Sequence, residues 1–138
     1  MKIKIICSLG LLLLVSSVGC KTAAPADTLQ RIQTACKAAA YIGTAEYLET
    51  HPDAKNQFTA VATELEILAA QDTIDYVTIL AVVNHLPIKE LKSGNARIAI
   101  TAATILLSDY AGSLPVGTAG TLKPVAASLA AGIRLGLL

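Results

Sequence analysis

Tyr76-Val77-Thr78-Ile79-Leu80-Ala81-Val82-Val83 is the stretch on which the fold class turns. Five of its eight residues, Val77, Thr78, Ile79, Val82 and Val83, are β-branched, so propensity alone reads it as a strand. A strand, however, must pair its backbone N–H and C=O groups with a neighbour, and the segments on both sides carry helical periodicity. The stretch is therefore read as part of a helix over residues 73–85. Asp72 is its expected cap, and Asp75 lies near the positive end of the helix dipole.

Upstream, Phe58, Val61, Leu65 and Leu68 recur at i, i+3, i+7 and i+10, while Lys55, Glu64 and Glu66 take other faces. That is one apolar stripe of an amphipathic helix over residues 52–70. Thr50-His51-Pro52-Asp53 marks its start, because the residue before proline is pushed out of the helical region and proline suits a first turn. Before it, Leu29, Ile32, Cys36, Ala39, Gly43 and Tyr47 keep the same spacing and predict a helix over 26–49. The small residues in that stripe allow a neighbouring backbone to approach closely.

Downstream, Pro87 ends the β-branched helix, 88–91 forms a single turn, and Ser93-Gly94 is a stop. Asn95 can cap the next segment, in which Ile98, Ala99, Ile100, Ala102, Ala103, Ile105, Leu106 and Leu107 surround the axis. A helix apolar all round is buried, so residues 95–110 are expected to form the central element. Gly112, Pro115, Gly117 and Gly120 make 111–123 a loop. Pro124 opens a last helix to 136, with Val125, Leu129 and Ile133 on one face. Gly132 and Gly136 give a G-x-x-x-G spacing; the run is short and contains Arg134, so it reads as close packing in a bundle rather than within a membrane. The expectation is an all-α compact bundle of four or five short helices, forming a single domain over residues 28–138.

The chain begins MKIKIICSLGLLLLVSSVGC. Lys2 and Lys4 form a positive n-region, residues 5–15 an apolar h-region, and Ser16-Ser17-Val18-Gly19 a small-residue approach to Cys20, which is an export signal. The apolar run of about eleven residues is shorter than the roughly twenty a membrane span needs. The residues before Cys20 resemble the lipobox of bacterial lipoproteins, with Ser17 standing where that pattern usually has leucine. The resemblance implies a signal peptide over 1–20, acylation of Cys20, a short tether over 21–27, and a palmitate-type lipid anchor in the cell envelope. In lipoproteins of Gram-negative cells an Asp after the cysteine commonly marks inner-membrane retention; Lys21 implies the outer membrane, facing the periplasm. The other reading is an ordinary secretory signal, cleaved near Gly19 or in the region 22–24.

Removing 20 of the 138 residues leaves 118, enough for one core. Lys2 and Lys4 leave with the signal, so nine basic residues face ten acidic ones. This near-neutral balance gives no electrostatic footprint for nucleic acid. Charge is uneven along the chain: 46–75 holds seven acids against Lys55 alone, and 76–138 holds five bases against Glu90 and Asp109. With Cys7 in the signal and Cys20 the lipid site, Cys36 alone remains, in an alanine-rich helix where a buried apolar role is natural; an intermolecular disulfide or a reactive thiol is the alternative.

The chemical inventory is thin. His51 and His85 lie in no metal-ligand spacing, no serine sits in G-x-S-x-G, and no phosphate-cradling glycine loop occurs. Asp72 and Asp75 are explained by capping. Ser108-Asp109-Tyr110, at the end of an apolar helix, is the polar cluster to inspect first, and a Cys36–histidine dyad needs a spatial adjacency that spacing cannot give. The sequence calls for no cofactor, no metal and no catalytic residue. It predicts a non-enzymatic envelope lipoprotein acting as a structural or interaction module, with the membrane and an envelope protein as partners. The alternative is a membrane-active, phage- or toxin-associated factor using its apolar C-terminal half.

Overall fold

The computed structural model describes residues 25–87, 90–91, 94–114 and 122–138. They form five α-helices: α1 (Pro25–Thr50), α2 (Lys55–Ala69), α3 (Tyr76–Val83), α4 (Gly94–Ser113) and α5 (Lys123–Gly136), with a single 3-10 turn at Pro52–Ala54 between α1 and α2. No strand occurs among the described residues, and the chain is an all-α helical bundle. Cys20 and the segment 21–24 lie outside the described residues, as do 88–89, 92–93 and the stretch 115–121 of the expected loop.

The β-branched stretch is helical for a local reason. Asp75, in an extended conformation, is the N-cap, and its carboxylate accepts a 2.7 Å hydrogen bond from the Thr78 amide. That satisfies one of the donors every helix start leaves free. Ile74 and Ile79, at the two positions of a hydrophobic staple, are 2% and 0% exposed, which fixes how the chain enters α3. The expected cap, Asp72, is exposed and three residues ahead of the cap actually used; the helix starts later because only from Asp75 do cap and staple fall into register together. Asn95 likewise lies inside the first turn of α4, which begins at Gly94.

At the end of α1, His51 takes φ −134° and ψ 66°, as a residue before proline must to leave the helix. The Thr50 hydroxyl donates to the Tyr47 carbonyl at 3.2 Å, closing the last turn.

The centre of the bundle is α5, not α4. α5 packs extensively on both α1 and α2, whereas the one extensive interface of α4 is with α1. The expectation for residues 95–110 fails because their apolar side chains divide by size. Ala96, Ala99, Ala103 and Leu107 form the buried stripe, while Ile98 and Ile105, one heptad apart on the outer face, are 59% and 55% exposed. On α5, by contrast, Val125, Ala126, Ala130 and Ile133 are all but inaccessible.

What lets α5 sit so deep is its glycines. A Cβ at Gly132 would overlap the Lys37 carbonyl oxygen of α1 and stand 2.8 Å from the Ala40 Cβ, and one at Gly136 would stand 2.6 Å from the Thr44 Cβ. The G-x-x-x-G spacing thus serves close packing of two helices in the bundle. The opposite flank of α5 is held to α2 by Arg134, which reaches Glu66 through two bonds of 3.0 Å and donates to the Thr63 hydroxyl at 3.1 Å. This fork joins the acidic segment of the sequence to the basic one across half the chain.

Candidate functional site

The polar residues singled out from the sequence do not converge. His51 stacks on Tyr47 with ring centroids 4.4 Å apart and planes 14° apart, and its Nδ1 lies 2.8 Å from the Thr50 hydroxyl. His85 is exposed; its Nδ1 is 3.6 Å from Glu64, and its carbonyl accepts from Gln57 at 2.8 Å. Neither set of contacts includes Cys36, which is 1% exposed. Burial pushes the Cys36 thiol up to about 12, so it carries no thiolate at neutral pH and is a poor nucleophile.

Ser108 and Asp109 face solvent, while Tyr110 packs partly against the core. Its carbonyl accepts from the Ser113 hydroxyl at 2.7 Å, a helix-end contact. Asp75 is occupied as a cap. Among the described residues no group of three or more His, Cys, Asp or Glu side chains could hold a metal ion, and no helix is long and apolar enough to cross a membrane.

A polar pair not anticipated from the sequence closes the far end of α1. The Tyr47 hydroxyl donates to the Glu90 carboxylate at 3.1 Å, 43 positions away. Burial, followed by the bond to Glu90, holds the Tyr47 phenol above its ordinary value. The contact ties Glu90, which lies between α3 and α4, to α1.

The feature with the shape of a site is an apolar cavity of about 70 Å³, partly open to solvent and walled by all five helices. Cys36 and Thr44 of α1, Phe58 of α2, Ile79 of α3 and Ile100 and Leu107 of α4 are part of its wall. The Thr44 hydroxyl oxygen is buried and without a hydrogen-bond partner, while its carbon side lies against Gly136. No sequence pattern could reveal this space, since its wall is assembled from residues as far apart as Cys36 and Ile133.

No protein-family model, no curated protein and no solved structure matches the chain.

Proposed function

We propose that this chain is a non-enzymatic lipoprotein of the bacterial cell envelope, acylated at Cys20 and holding its helical bundle close to a membrane as a structural or interaction module. The observation that carries the reading is the run of positive n-region, apolar h-region and small residues ending at Cys20. Four residues separate Cys20 from Pro25, where α1 starts, and the five Cα steps reach roughly 17 Å when extended. An acyl anchor there keeps the bundle within about one helix length of the lipid surface. Lys21 favours the outer membrane, with the bundle in the periplasm and an envelope protein as its partner. The polar inventory is thin, and His51, His85 and Asp75 are each engaged locally, with Tyr47 and Thr50, with Glu64 and with Thr78, which favours a module without catalysis.

The test is acyl labelling. Cells expressing the wild-type chain are fed a labelled palmitate analogue and compared with Cys20→Ala. The reading expects label and membrane association in the first and neither in the second; unchanged membrane retention of Cys20→Ala would count against the anchor.

A second reading, a membrane-active factor, rests on the exposure of Ile98 and Ile105 along one face of α4. It requires the C-terminal helix to leave the core, where Val125 and Ile133 are fully buried. Release of dye from anionic vesicles by the Cys20→Ala chain would favour it over the structural role.

A further inference from the structure

We propose that the cavity between the helices is a binding site for one narrow alkyl chain, entering between α3 and α4 and ending over Cys36. The wall chemistry selects the ligand class. Its polar side chains are two threonines, of which Thr104 already donates to the Ile100 carbonyl at 2.8 Å. Nothing in the wall can balance a buried charge, so a charged group stays outside.

Water is a poor occupant for the same reason. A bound water needs two to four polar partners, and the buried Thr44 oxygen is the one unpartnered side-chain atom of the wall. Size selects next. An engineered apolar cavity of about 150 Å³ takes a benzene ring; this one, at about 70 Å³, is too small for a ring and suits a few methylene units in file. Thr104 of α4 is the one exposed residue of the wall, and Leu80 and Val83 of α3 and Ile100 of α4 are half-buried, as are Ala40 and Leu129; the exposed position puts access on the α4 side facing α3. Those two helices share no extensive interface, so the gap between them can widen without breaking a packed seam.

The inference does not depend on the lipoprotein reading, and its test is run on the full Cys20→Ala chain, which has no acyl group of its own to fill the space. The probes are n-alkanols from propanol to octanol, and the readout is the rate at which iodoacetamide labels Cys36, located by peptide mass mapping. A guest that holds the folded state slows labelling by 1 + [L]/Kd, about ten-fold at ten times Kd. Affinity should rise about four-fold per added methylene and then level off once the cavity is full. Ala103→Leu, which fills the space from α4, should abolish protection while the helical circular dichroism is kept. If that variant fails to fold, the chain-length series on the parent still decides. Absence of protection, or protection that climbs without a plateau through octanol, overturns the proposal.

Discussion

Gly132 of α5 lies against the carbonyl group of Lys37 on α1, so closely that a side-chain carbon would overlap the oxygen. The two helices therefore approach backbone to backbone, at a separation where Cα–H groups can face carbonyl oxygens. Gly132→Ala should destabilise the protein by about 1–3 kcal/mol in urea denaturation, because overpacking outweighs the gain of about 1 kcal/mol from replacing a helical glycine. Gly112→Ala, near the end of α4 with nothing within 4 Å of the added carbon, should show the propensity effect alone and stabilise by up to about 1 kcal/mol.

The position of α4 at the margin of the bundle makes a prediction that separates it from a central helix. Ile98→Thr and Ile105→Thr should each change stability by no more than about 0.5 kcal/mol, as exposed substitutions do. Ile133→Ala on α5 should cost about 2–5 kcal/mol, the range for emptying a fully buried isoleucine site. A large loss at Ile98 or Ile105 would restore α4 to the centre.

Asp75 should stabilise α3 as a carboxylate cap. Its bonds to Thr78 hold its pKa below the model-compound value of 3.8, so the stabilisation is complete above that pH and is lost as pH falls through the lower folded value. Asp75→Ala should speed amide exchange in α3 at pH 7, with the difference from wild type shrinking toward pH 2. Asp75→Asn, an equally good cap without the charge, should restore most of the protection at both pH values.

The Arg134–Glu66 fork follows the same sign. The Arg134 hydrogen bonds hold the Glu66 carboxyl below 4.5, so any stabilisation is present above that pH and fades on acidification. Both side chains are substantially exposed, at 40% and 48%, so the effect is small and screened by salt. Chemical denaturation of Glu66→Gln should show a slight loss at pH 7 in low salt, and that loss should shrink as the pH is lowered below 4.5.

Helices α1, α2 and α5 were legible because each keeps a 3.6-residue stripe, α4 was legible as a run of apolar residues after a glycine stop, and the tight seam was legible in Gly132 and Gly136. The helix at residues 76–83 could be argued only from the want of a partner strand; its physical cause, an Asp75 cap between Ile74 and Ile79, was present in the sequence but hidden behind Asp72, an equally good cap by composition. What a single sequence could not show is which side of an all-apolar helix finds a neighbour. On α4 the alanines Ala96, Ala99 and Ala103 are buried and the isoleucines Ile98 and Ile105 are not. The cavity was out of reach for the same reason: it is what remains between helices once their contacts are set.

The central claim, that the bundle hangs from Cys20, is tested most directly by the mass of the N-terminal peptide from the membrane-associated protein. The reading predicts a chain that begins at Cys20 and carries acyl groups on that residue. A chain beginning at Lys21 or later, or one beginning at an unmodified Cys20, would contradict it.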